Sequence, residues 1–267
     1  MAPKRHTPED SAASEGAPVP ANAAADEPAA PAYAALPRVL AARARVAVQP
    51  LLTTRGLILG GILVLAFAIR LSWVASVREM PDKAMADPLF YDSAARMLAA
   101  GKGYLHLNGV PTAEWPPGYP LLLAAIYKVF GHSIALAKLV NILAGAGTCL
   151  LVYLIAKRTF NVAVGLVAAF ILALFPSQIF FSTLLMTEVL SAFLVALLLF
   201  IVITFTLNTI SWRRVLLVGL LLGAMSLIRG ETVFLFAPIA VVWAVAHRSV
   251  RRGLSYGLLA CAATGLV

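Results

Sequence analysis

Across 267 residues, 61% are hydrophobic and only 12% are charged, about half of the roughly 25% charged content of an ordinary soluble domain. That excludes a soluble fold, because the apolar residues gather into runs that approach the roughly 20 residues needed to cross a bilayer. The net charge of +9 does not argue for nucleic-acid binding, since the basic residues flank the apolar runs as they do in membrane proteins, where they suit anionic headgroups.

Residues 1–36 are rich in Ala, Pro, Glu and Ser and carry too little apolar surface to offset the entropy of ordering. A disordered tail is expected, cytoplasmic and uncleaved because it has no signal-peptide core. Residues 37–55 add Arg38, Arg43, Arg45 and Arg55, as in a basic juxtamembrane segment lying on the inner surface. The remainder, 56–267, reads as an all-α polytopic transmembrane bundle of six to seven spans.

The first span is expected over 56–77, with Arg70 near its outer end, either snorkelling to the interface or facing the interior. A long loop follows over 78–117, holding Glu79, Asp82, Asp87, Asp92 and Glu114. Loops of this length usually have a function. An apolar stretch at 118–130 is too short to span and suits an outer interfacial helix, or a first piece of the second span over 134–156. Further spans are expected over 162–181, 184–207, 215–228 and 232–246, and a seventh apolar run begins near Leu254. Lys157/Arg158, Arg213/Arg214 and Arg248/Arg251/Arg252 then fall on one side, and the acidic loop on the other. This orientation predicts a multi-pass plasma-membrane protein with a cytoplasmic N-terminus.

No metal site or cofactor motif is visible. Cys149 and Cys261 lie far apart within apolar runs, and His6, His106, His132 and His247 do not pair at ligand spacing. The loop is richer. Asp87-Pro88 reads as a helix start, with Asp as a capping residue. Asp92 and Arg96 are spaced to pair on that helix, and Gly101 and Gly103 end it. Residues 111–120 hold four prolines, a rigid lead-in to the next helix or a substrate-contacting loop, with Trp115 and Tyr119 as its aromatic anchors. Glu188 is an acid at the start of an apolar span, a functional candidate unless it is simply a partner for Arg70 or Arg229. Arg229 and Glu231 share an outer helix end. They form a mutual ion pair, or Arg229 offers its fork of donors to a phosphate.

Taken in order, Asp87…Tyr91…Ala95…Leu98…Gly101-Lys102-Gly103-Tyr104, then Trp115-Pro-Pro-Gly-Tyr-Pro120, then Phe130-Gly131 resembles the first outer loop of GT-C-fold membrane glycosyltransferases. The likeness is to the bacterial dolichyl-phosphate-mannose-protein mannosyltransferase-like family, related to aminoarabinose transferases. Phe175-Pro176…Thr187-Glu188 resembles their third-to-fourth helix junction. The resemblance covers about residues 56–250. It implies transfer of a sugar from a polyprenyl-phosphate donor to a hydroxyl on a protein, lipid or glycan acceptor at the outer face, usually with inversion. It also implies that Asp87 is the catalytic base or acceptor positioner; Tyr91 and Asp92, on the same loop, are candidates for substrate binding. Family members usually carry several more spans, so a chain that stops inside an apolar run is expected to be the N-terminal part of a longer protein. A non-catalytic subunit that holds a lipid carrier or partner is the alternative. A transporter fits less well, because the polar residues gather at the rim rather than at mid-membrane.

Overall fold

The computed structural model describes residues 53–77, 86–206, 211–246 and 249–265. The expectations for 1–36 and for 37–52 lie outside them. The elements described are all helices, in the order α1 (Thr54–Ser76), α2 (Ala86–Ala99), α3 (Gly118–Phe130), α4 (Ile134–Thr159), α5 (Val162–Ala173), α6 (Pro176–Phe181), α7 (Glu188–Thr206), α8 (Trp212–Ser226), a 3-10 turn (Gly230–Leu235), α9 (Phe236–Ala246) and α10 (Val250–Thr264). A non-helical loop with one isolated antiparallel bridge, Leu105 to Pro111, joins α2 to α3.

Among the described residues three helices are long and apolar enough to cross a membrane: Thr54–Ser76, Ile134–Thr159 and Glu188–Phe205. Only 17% of the α1 window is buried within the protein. Leu57, Ile58, Val64 and Leu71 therefore face outward, which suits a lipid surrounding and not water. Caps set the helix starts: Thr53, Ser133 and Asn161 each accept from a backbone amide of the following first turn.

The stretch expected as one span over 162–181 is broken. Phe175 is extended because the following proline disfavours a helical conformation, and α6 restarts at Pro176. Pro176 has no N–H to give Leu172, whose carbonyl accepts instead from the Phe175 N–H at 3.2 Å, and the end of α5 is completed by a side chain. Arg70 supplies further donors. Its Nη1 donates to Ala173 at 3.2 Å and Nη2 to Leu172 at 3.4 Å, with a further bond to Ala66 at 2.9 Å. The side chain is completely buried, so it faces the interior rather than snorkelling. No carboxylate pairs with it among the described residues; the carbonyl end of α5 offers the negative pole instead. Gly145 on α4 makes the room, since a Cβ there would lie 2.6 Å from Arg70 Nε.

Other boundaries also move. The fourth span begins at Glu188 rather than near Leu184, and the sixth opens with a 3-10 turn. The stretch at 118–130 is a helix of its own, ended by Gly131. Its buried face, Tyr119, Leu123 and Tyr127, packs with Phe90, Tyr91 and Ala94 of α2. Near the C-terminus small residues bring the helices close: Gly253 and Gly257 of α10 meet Ala244 and Ala240 of α9, and Gly219 of α8 meets Ala260.

Charge separates by end. Lys138 of α4 donates to the Val77 carbonyl at the end of α1, so the loop between α1 and α4 sits at one end of the bundle. All five carboxylates among the described residues, Asp87, Asp92, Glu114, Glu188 and Glu231, lie at that end. Arg55, Lys157, Arg158, Arg213 and Arg214 lie at the helix ends opposite.

Candidate functional site

The loop helix α2 brings two acids to the bundle, and they have different fates. Asp87 sits in the first turn rather than at the cap. It is half-buried, and no group among the described residues donates a hydrogen bond to its carboxylate. Asp92, one turn further, is buried and fully engaged. It accepts from the Tyr127 hydroxyl at 2.7 Å, meets His132 Nε2 at 2.8 Å and pairs with Arg96 Nε at 3.1 Å. Burial, followed by the bond to Asp92 and its charge, pushes the Tyr127 phenol up. Asp92 therefore ties α2 to α3 and to the turn before α4. A substrate role for it has to compete with three protein partners.

Tyr91 joins the two halves of the site. It is 5% exposed, and its ring packs edge-on against Tyr119 with centroids 5.2 Å apart. Burial first, then the charges of Asp87 and Glu188, push its phenol up, while Arg229 and a bond to Thr187 pull the other way. The Asp87 side of α2 and the Glu188–Arg229 pair thus face one phenol. Tyr119 itself is completely buried, so it supports Tyr91 from beneath instead of lining an open surface.

Arg229 is held by two acids from different elements. Its Nε donates to Glu231 Oε1 at 2.6 Å, and Nη1 lies 3.6 Å from Glu188 Oε1. Glu188 therefore pairs with Arg229 and not with Arg70. Its Oε2 is buried without a hydrogen-bond partner, a costly state for a carboxylate oxygen unless a ligand or water completes it. Glu231 is exposed, and its own backbone amide together with Arg229 lowers its pKa.

The Trp-Pro-Pro-Gly stretch docks directly onto the segment that carries Arg229. Gly118 N–H donates to the Leu227 carbonyl at 2.6 Å, and a Cβ on Gly118 would lie 2.6 Å from that same oxygen. Trp115 sits above this contact, its carbonyl accepting from the Tyr104 hydroxyl at 2.9 Å and its ring centroid 6.2 Å from that of Phe90. Burial, with Tyr91 nearby, pushes the Tyr104 phenol up to about 12. A groove of about 690 Å³ starts at Arg229 and Glu231 and descends between α4 and α7, past Ser191 and Thr148 to Phe160. Its walls are almost wholly apolar, and the Ser191 hydroxyl is buried there without a partner.

The family model for dolichyl-phosphate-mannose-protein mannosyltransferases matches residues 114–267, more than half of the chain. The chain belongs to that family. Membership places it among membrane glycosyltransferases that draw on a polyprenyl-phosphate-linked sugar. No curated protein matches the chain. The matched range of this mannosyltransferase-family member takes in Trp115, Tyr119, Glu188, Arg229 and Glu231, and begins after Asp87, Tyr91 and Asp92.

Among the described residues no cluster of His, Cys, Asp and Glu is arranged to hold a metal ion. Two participants escaped the sequence reading, His132 and Tyr127. Their partner Asp92 is 40 and 35 residues away, and no spacing rule links residues brought together only by tertiary packing.

Proposed function

We propose that this chain transfers a sugar from a polyprenyl-phosphate donor to a hydroxyl acceptor at the extracytoplasmic membrane face, with Asp87 as the base. The observation that carries the proposal is geometric: Arg229, 3.6 Å from Glu188, stands at the mouth of an apolar groove, at the bundle end that also holds Asp87. An unengaged carboxylate and a cation suited to phosphate therefore share one rim, where the apolar groove opens. The polyprenyl tail lies in that groove and the phosphate rests against Arg229. Asp87 takes the acceptor's hydroxyl proton, the oxygen attacks the anomeric carbon from the face opposite the phosphate, and the carbon–oxygen bond to phosphate breaks. The leaving polyprenyl phosphate carries away the bonding electrons, and Arg229 stabilises their charge. Sequestration of the carboxylates at the loop end, away from the basic helix ends, supports a cytoplasmic N-terminus.

The test is transfer in vesicles from a polyprenyl-phosphate sugar to a hydroxyl acceptor. Asp87→Asn is expected to cut the rate by roughly a hundred- to ten-thousandfold, the usual range for a lost general base, while membrane insertion stays intact. Undiminished transfer would remove Asp87 from the mechanism. A non-catalytic carrier-binding role is the second reading, favoured by the matched range containing Arg229 and the groove but not Asp87. It predicts donor binding without transfer in the wild-type chain.

A further inference from the structure

At the bundle end opposite the candidate site, a cavity of about 530 Å³ opens where α1, α4 and α5 meet. Arg55 comes from the first turn of α1 and Lys157 from the last turn of α4. Both line the cavity, with Thr54 and the buried Tyr153 between them. No carboxylate among the described residues pairs with either cation. Lys157 holds its ammonium 5.7 Å from the Tyr153 ring. The neighbouring cations are turned elsewhere: Arg158 lies over Phe200 and bonds Thr204, and Arg214 lies over Phe205.

The lining of this cavity also includes the apolar Leu59 and Val162. One turn further along α1 and α5, Gly61, Leu65, Leu166 and Phe170 line a second, separate groove of about 420 Å³. A Cβ on Gly61 would meet nothing within 4 Å, so the groove has unfilled width. Two cations beside a polar cavity, with a separate apolar groove one turn further along the same two helices, match an anionic phospholipid. Its phosphate would sit between Arg55 and Lys157 and one acyl chain along the α1–α5 seam. A soluble anion would use the cations and leave the groove without purpose.

We infer that this pocket is a binding site for an anionic phospholipid of the leaflet facing the basic end, separate from the donor groove. The site does not depend on the proposed transfer reaction, since none of its residues belongs to the outer rim.

The full chain is reconstituted in nanodiscs of equal parts dioleoylphosphatidylglycerol and dioleoylphosphatidylcholine, re-extracted in mild detergent and read by native mass spectrometry. The wild type is expected to retain phosphatidylglycerol in preference to phosphatidylcholine. Arg55→Gln combined with Lys157→Gln is expected to weaken retention roughly fivefold for each cation removed. Gly61→Phe leaves both cations and fills the groove, and it is expected to weaken retention as well. Should the double variant fail to fold, Gly61→Phe decides the matter alone. Equal retention of the two lipids, or unchanged retention in Gly61→Phe, would overturn the proposal. So would inorganic phosphate displacing the bound lipid at millimolar concentration, since the ligand would then be a soluble anion.

Discussion

Arg229 donates to Glu231 and faces Glu188, so its guanidinium is already oriented before any anion arrives. This restraint limits the side-chain freedom lost when a phosphate binds. It also means that a donor phosphate competes with two carboxylates, and the more exposed Glu231 is the easier one to displace. Hydrogen bonds to a charged group contribute about 1.5–3 kcal/mol. Arg229→Gln is therefore expected to raise the donor KM by roughly ten- to a hundredfold, with a smaller change in kcat. Steady-state kinetics at varied donor concentration checks this, and an unchanged KM would place the phosphate elsewhere.

The contact between the segment ahead of α3 and the end of α8 belongs to the scale of elements. Because the Leu227 carbonyl is backbone, it cannot swing aside to admit a methyl group at position 118. Gly118→Ala is expected to cost about 1–3 kcal/mol through overpacking, and to shift Arg229, two residues beyond Leu227. Its signature is a lowered melting temperature together with a raised donor KM; a change in melting alone would mean that the dock is only structural. Much of this level was legible beforehand. Apolar run length located α1, α4 and α7, and the helix start at Asp87-Pro88 and its stop at Gly101 followed from local chemistry. The break at Pro176 was hidden because hydropathy is uninterrupted across 162–181. Which arginine Glu188 would meet was equally hidden, since Arg70 and Arg229 both lie toward the same end in sequence terms. Only the packing of Arg70 against Leu172 and Ala173 decides it.

For the whole molecule, the separation of carboxylates from basic helix ends makes orientation measurable. In a variant whose Cys149 and Cys261 are replaced by Ser, single cysteines are placed at Lys102 in the acidic loop and at Ser211 before α8. In intact cells an impermeant maleimide is expected to label Lys102→Cys and to spare Ser211→Cys until the membrane is opened; the reverse pattern would invert the bundle. The buried arginine of α1 adds a dimension of time. Its carbonyl partner Ala173 is made 103 residues after it. At the usual 5–20 residues per second, roughly 5 to 20 seconds of synthesis pass before that partner exists. During that interval the first helix carries a guanidinium whose polar resort is the headgroup layer or the insertion machinery. Its seat in the bundle is completed only when the stretch broken at Pro176 emerges, so α1 settles no earlier than α5.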